Sequence, residues 1–225
     1  MRNTLRKLTY PLVLALLFLV SSANAANVHR FSSTEEDKWT TIKTDAGILF
    51  VWNREGLHFT LAVKGNQIRH MESPDNILFT VDGRVFQIQS LPIGDFAPDA
   101  RKNKLDDKSI LLAHRDWESA FLQNELLHSK ITVRSSNEKL SGGADVLFWA
   151  YDLPDQFKNP DAKTQMYLST VAKDYVILLN SVVSATGSED SVRKFLLETI
   201  KTLKLSNDPF DVDKLQEAIR KGIEP

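Results

Sequence analysis

Residues 77–88, ILFTVDGRVFQI, carry the clearest local structural signal of the sequence. Asp82 and Gly83 form the two-residue turn that primed β-hairpins prefer, because such turns need positive φ values. Counting outwards from this turn pairs the two arms of the hairpin. The pairs are Val81 with Arg84, Phe79 with Phe86, and Ile77 with Ile88. Four large apolar side chains then share one face, so turn chemistry and strand register both predict a hairpin.

Other strand patterns lie on both sides of this hairpin. Residues 57–63 alternate between apolar and polar side chains, which predicts a half-buried strand that follows an apolar run at 48–52. Residues 144–151 are apolar on both faces, which is typical of a central strand covered on both sides. A short strand is predicted at 130–134, and a long hairpin at 165–183 that turns at residues 172–175.

Three amphipathic patterns predict helices. The first covers 109–127, the second opens at 187–190 and closes near 204, and the third covers 212–221. In the first, the apolar stripe is assigned to Ile110, Ala113, Trp117, Ala120 and Phe121. The sequence therefore predicts an α+β fold: an antiparallel sheet built from hairpins, two main amphipathic helices packed on it, and a short C-terminal helix. Residues 26–206 are interpreted as a single domain and 207–225 as a helical appendage.

The order of elements between 141 and 206 is similar to that of a known fold family. A Ser141-Gly142-Gly143 turn leads into a strand, and the next loop contains Pro154 and Pro160. The hairpin through Lys173-Asp174 follows, and the last helix ends at Lys204-Leu205-Ser206. This third of the chain resembles the Mog1/PsbP-like family of small exported bacterial proteins. The resemblance implies an antiparallel sheet with helices packed on it, and no shared set of catalytic residues.

The first 25 residues have the order of an export signal. Arg2, Arg6 and Lys7 precede an apolar run at 11–20, and Ala23-Asn24-Ala25 supplies the small residues that a signal peptidase accepts. An uncleaved anchor would need residues 21–26 to extend the apolar helix. The chain contains no cysteine, so it has neither disulfides nor the lipid-modified cysteine of a lipoprotein. We therefore expect a signal peptide at 1–25 and a periplasmic or secreted protein.

The charge of the mature chain restricts its partners. The signal peptide carries three basic residues and no acidic ones, so its removal changes the formal net charge from −1 to −4. No block of basic residues is present, and clustered Lys and Arg are what phosphate backbones require. The sequence therefore predicts no nucleic-acid partner, and no stable insertion in a membrane after cleavage.

Few residues suggest catalytic or metal chemistry. His114 and Glu118 are four apart on one helix face, where two metal ligands or a surface ion pair would be placed. Because a third ligand at motif spacing is lacking, the ion pair is preferred and no metal is predicted. Ser188 is interpreted as a helix cap, and His58 as a partnered surface residue. Nucleophile-elbow, dinucleotide, phosphate-loop and zinc-protease motifs are absent from the sequence, so neither catalytic residues nor a cofactor are predicted.

The polar connection at 91–108 is the first place to look for a binding site, because long loops often carry function. It combines Phe96 with Arg101, Lys102 and Lys104, and these four residues are the predicted binding residues; a second candidate is the loop at 152–163. We expect an exported, non-catalytic accessory protein that binds an envelope protein or a small ligand. An unrecognised hydrolase-type enzyme and an inhibitor or immunity-type interaction protein remain the alternatives.

Export is tested directly at the N-terminus. We expect the mature protein to begin at Ala26 and to fractionate outside the cytoplasm, because the small-residue site directly follows a short apolar core. N-terminal sequencing of the soluble protein checks this. Retention of residues 1–25 in that protein would contradict the assignment.

Overall fold

The computed structural model describes residues 39–54, 56–73 and 76–223, and the predicted signal peptide lies outside them. The strands are β1 Trp39–Thr44, β2 Gly47–Arg54, β3 Leu57–Lys64, β4 Ile68–Met71, β5 Ile77–Val81, β6 Arg84–Pro92, β7 Arg134–Lys139, β8 Asp145–Asp152, β9 Thr164–Ala172, β10 Tyr175–Val183 and β11 Lys204–Ser206. The helices are α1 Ile93–Phe96, α2 Asp107–Phe121, α3 Glu189–Ile200 and α4 Val212–Arg220. A π-helical turn, Leu122–Leu126, continues α2, and a 3₁₀ turn, Asp155–Phe157, follows β8.

The strands form two antiparallel sheets, which confirms the predicted α+β class. A four-stranded sheet has the order β1-β2-β3-β11, and a seven-stranded sheet has the order β4-β5-β6-β10-β9-β8-β7. The hairpin of β5 and β6 has the predicted pairs at Phe79–Phe86 and Ile77–Ile88. Its turn residues Asp82 and Gly83 have φ values of 49° and 80°, as a primed turn requires.

The main core lies between the two sheets. Phe50 and Phe59 point inwards from the four-stranded sheet, and Phe79 and Phe86 point inwards from the seven-stranded sheet. Helix α3 adds Val192, Leu196 and Ile200 to the same apolar layer. The core thus joins strands from both ends of the chain without a disulfide.

The opposite face of the seven-stranded sheet packs against α2. Ile110 and Leu111 of α2 share a second apolar cluster with Leu147 and Trp149 of β8. Strand β8 is therefore covered on both faces, as its apolar sequence predicted.

The outer face of the four-stranded sheet packs against α4, and this corrects the expectation for β3. Ile42, Leu49 and Val51 form a third cluster with apolar side chains of the C-terminal segment. His58 and Thr60, on the predicted polar face of β3, are also buried. The pattern predicted a half-buried strand because the covering helix lies about 150 residues further along the chain.

Three local predictions were wrong. The connection at 91–108 contains α1 and is anchored by buried Ile93 and Ala100, so it is not simply a polar loop. Strand β7 lies at 134–139 rather than 130–134. Helix α2 buries Ile110, Leu111, His114 and Glu118, whereas Ala120, assigned to the buried stripe, is exposed. Within the described residues, no helix is both long enough and apolar enough to span a bilayer.

The turn at Asp82-Gly83 can be tested by one substitution. Gly83→Val should lower the free energy of unfolding by about 1–2 kcal/mol, because a β-branched residue is strained at positive φ. A new Cβ at Gly83 would meet no atom within 4 Å, so the loss reports backbone conformation rather than a clash.

The matched control is Gly142→Val, since a Cβ there is equally unhindered and Gly142 is not among the glycines with positive φ. Urea unfolding of both variants checks the prediction. Equal stability of the two variants would contradict the turn assignment.

Candidate functional site

The four predicted binding residues face different parts of the molecule. The Phe96 ring lies 5.2 Å from the His114 ring and 6.2 Å from the Trp117 ring, so it packs against α2. Arg101 instead contacts the β9–β10 turn, where its Nε donates to the Asp174 carboxylate at 3.0 Å. Lys102 and Lys104 are exposed. The structure therefore places Phe96 in a packed aromatic group and the basic residues on the surface.

His114 and Glu118 are both buried, which corrects their interpretation as a surface ion pair. Their exposed fractions are 0% and 1%, because they occupy the face of α2 that packs on the seven-stranded sheet. Among the described residues, both nitrogens of His114 and both carboxyl oxygens of Glu118 are without a hydrogen-bond partner. The same is true of Trp149 Nε1. Such groups are destabilising when buried, because they lose their bonds to water.

Two tyrosines of the sheet lie beneath this helix face. Burial raises the pKa of both Tyr151 and Tyr167, and the nearby Glu118 raises it further by a smaller amount. The Trp149 ring stacks on Tyr167 with centroids 3.8 Å apart. His114, Glu118, Trp149, Tyr151 and Tyr167 are called the buried polar cluster below.

Burial alone determines the charge of the two residues from α2. Loss of solvation lowers the pKa of His114 from 6.5 to about 4 and raises the pKa of Glu118 from 4.5 to about 7. Both side chains are thus predominantly neutral near pH 6. A neutral pair explains how α2 keeps them in an apolar interior without an ion pair.

A second buried polar group on the same sheet face is fully paired. The amide of Gln165 donates to Asn180 at 3.0 Å, and Asn180 donates to Gln87 at 2.7 Å. Gln87 in turn donates to Asn76 at 2.7 Å. Asn180 and Gln87 each both donate and accept, so hydrogen bonds link this row across β9, β10 and β6. The buried polar cluster has no such set of bonds.

The other histidines of the described ranges are not grouped into a metal site. His70 packs between the rings of Trp39 and Phe79, and burial lowers its pKa against the opposing effect of Glu72. His58 is buried, not on the surface as predicted. Within the described ranges, no three His, Asp or Glu side chains are grouped closely enough to hold a metal ion.

An open recess of about 390 Å³ lies where the β5–β6 turn meets the start of α3. Its apolar lining includes Val85 and Val182. Its polar lining combines a guanidinium, two carboxylates, an amide and hydroxyls, and includes Arg84, Asp82, Asp161, Asn159, Ser188 and Ser191. This surface is called the Arg84 recess below.

Arg84 stands on the border of this recess. Its Nη2 donates to Ser191 Oγ at 3.2 Å, and its guanidinium lies 4.9 Å from the Phe195 ring centre. Beyond it, a smaller recess of about 230 Å³ shares Asp82, Arg84 and Ser191. The guanidinium is thus held in place by α3 at the edge of both recesses.

The side chains of the Arg84 recess offer both hydrogen-bond donors and acceptors. Asp82 is already used by the fold, since its carboxylate accepts from the backbone N–H of Gln67 at 2.8 Å. Ser188 begins α3, as predicted, but its side chain does not cap the helix. The sequence analysis missed this site because Arg84 and Ser191 are 107 residues apart and form no motif.

Comparison with known proteins does not assign the chain to a family. The chain matches no protein-family model, and no curated protein is significantly similar to it.

The buried polar cluster predicts a specific dependence of stability on pH. Folding lowers the His114 pKa, so stability from this group is present above pH 6.5 and is lost as the pH falls towards 4. Folding raises the Glu118 pKa, so its contribution is present below pH 4.5 and is lost as the pH rises to 7. Each effect is about 3 kcal/mol, and between pH 4.5 and 6.5 their slopes oppose each other.

Single variants should therefore separate the two slopes. Relative to the parent protein, Glu118→Gln should gain stability progressively from pH 4.5 to 7, and His114→Gln should gain it as the pH falls from 6.5 to 4. Urea unfolding across pH 4–8 measures both differences. Glu125→Gln, which removes an exposed carboxyl on the adjoining turn, is the control. Difference curves that are flat for both cluster variants would show that these side chains are not buried in the folded state.

Proposed function

We propose that the chain is an exported, non-catalytic binding protein that holds a small polar ligand in the Arg84 recess. The observation that carries this proposal is the recess itself, whose volume of about 390 Å³ lies within the range of small-molecule sites. Its lining combines donors, acceptors and apolar side chains, which suits a compact molecule with several hydroxyl or amide groups, such as a sugar or an amino acid.

Export to the bacterial envelope is part of the same proposal. It is supported by the order of basic, apolar and small residues in 1–25. Membership of the Mog1/PsbP-like fold family is also proposed. It is supported by the order of β8, the β9–β10 hairpin and α3, which follows the resemblance in residues 141–206.

The two alternatives receive less support from the described residues. For a hydrolase, His114 and Glu118 cannot serve as accessible acid–base groups, because both are enclosed beneath α2. Of the two carboxylates in the Arg84 recess, Asp82 already accepts from the backbone N–H of Gln67. An inhibitor-type protein would need an open apolar patch. In the described part of the chain, the large hydrophobic residues that are exposed are Leu105, Leu205 and Ile223, which are too few for such a patch.

Thermal unfolding with a panel of mono- and disaccharides and amino acids tests the ligand site. A compound at a hundredfold excess over its Kd should stabilise the protein by about 2.7 kcal/mol, which raises Tm by roughly 5–10 °C. Arg84→Ala should abolish this shift, because it removes the guanidinium on the border of the recess.

The combined change Arg101→Ala, Lys102→Ala and Lys104→Ala is the control, since these residues lie outside the recess. It should leave both the fold and the ligand shift intact. If the triple variant lost the ligand shift and Arg84→Ala kept it, the ligand would instead bind at the 91–108 segment. A panel without any stabilising compound would contradict the small-ligand proposal.

A further inference from the structure

Helix α4 covers an apolar face that the sheet itself leaves open. Phe210, Val212, Leu215 and Ile219 of the C-terminal segment pack on Ile42, Leu49 and Val51. The three sheet residues are at most 5% exposed, so the segment shields them almost completely from water. Without α4, they would form a continuous apolar patch on the outer face of the four-stranded sheet.

Helix α4 packs on the four-stranded sheet without burying any of its own residues completely. No residue of α4 is buried, whereas α3 buries Val192, Leu196, Thr199 and Ile200. Two ion pairs of the segment, Lys214–Asp211 and Lys221–Glu217, join residues of the segment to each other rather than to the sheet. A nine-residue helix is also marginal by itself.

A single polar clasp fixes the start of this segment. The Asn53 side chain donates to the Phe210 carbonyl at 2.8 Å and accepts from the Phe210 N–H at 2.8 Å. Both bonds are to the backbone of Phe210, so the clasp recognises the residue before the helix cap by its main chain and not by its side chain. Another chain with the same local geometry would satisfy it equally well.

The covered face has a definite chemical character. The strand register places Thr40, Ile42, Leu49, Val51, Thr60 and Ala62 on this side. His58 lies on the same side, and Lys64 and Lys204 lie at its margins. A partner of this surface would therefore be held by apolar contacts at the centre, with two lysines at the edge.

We propose that the outer face of the four-stranded sheet is a docking surface for an amphipathic helix of a partner protein, and that α4 occupies this surface until the partner displaces it. The resident segment shows what fits: an aromatic residue at the helix start, then aliphatic side chains at the spacing of Val212, Leu215 and Ile219. The charged residues of such a helix face solvent, as those of α4 do. This interaction is independent of a ligand in the Arg84 recess.

Hydrogen exchange of the intact protein tests whether α4 is released. Local opening of a shallowly packed helix exchanges its amides without global unfolding. The amides of residues 216–220 should exchange at least tenfold faster than those of 193–200 in α3. Equal protection of the two helices would overturn the proposal.

Binding of a helix in trans tests the surface itself. The probe is a fluorescent peptide of residues 207–225, and its affinity is measured for the full chain and for the full chain with Leu215→Asp. That substitution weakens the resident helix and leaves the sheet face unchanged, so the peptide should bind at least tenfold more tightly.

Lys214→Asp in the full chain is the control, because it places the same acidic side chain on an exposed position of α4. It should leave the affinity for the peptide near that of the parent chain. A peptide that itself carries Leu215→Asp should not bind. If the folded Leu215→Asp chain binds the normal peptide no better than the parent, the surface is not a helix-docking site.

Discussion

The rings of Phe50 and Phe79 meet edge to face, with centroids 6.3 Å apart, where the two sheets pack together. Phe59 and Phe86 extend this aromatic layer within their own sheets. Because the chain has no cysteine, no disulfide joins the sheets, and apolar burial is the main interaction that holds them together. A slip of one residue in the pairing of β5 would turn Phe79 out of the layer. The core therefore forms only when this strand pairs in the correct register.

This packing leaves two sheet faces that must be covered, and the helices meet that need in different ways. Helix α2 covers the second face of the seven-stranded sheet with buried side chains that include polar ones. Helix α4 covers the outer face of the four-stranded sheet while its own apolar residues stay partly exposed. The first cover is part of the core. The second is a surface attachment, and this difference is why exchange is proposed for α4 and not for α2.

Local signals predicted most strands, but contacts between distant residues decided the rest. The turn at 82–83 and the hairpin at 165–183 were predictable because turn chemistry and alternation act within a few residues. The buried face of α2 was not, because helical spacing leaves its rotation open and polar residues at 114 and 118 argued against burial. The pairing of β11 with β3 joins residues nearly 150 positions apart, and no local pattern marks it. The Arg84 recess was missed for the same reason.

The most strongly shifted ionisable groups of α2 do not coincide with the proposed ligand site. Shifted pKa values often mark functional sites when burial acts together with a specific charged partner. At His114 and Glu118, loss of solvation is the whole cause, and no opposite charge tunes either group. Shifts of this kind are expected wherever a polar helix face packs against a sheet, whether or not the residues have a function. Arg84 differs from these two residues in its position: it is oriented by Ser191 and Phe195, and it borders an open recess. A side chain that is accessible and already oriented can bind a ligand with little further loss of freedom, and this favours the recess over the buried polar cluster as the binding site.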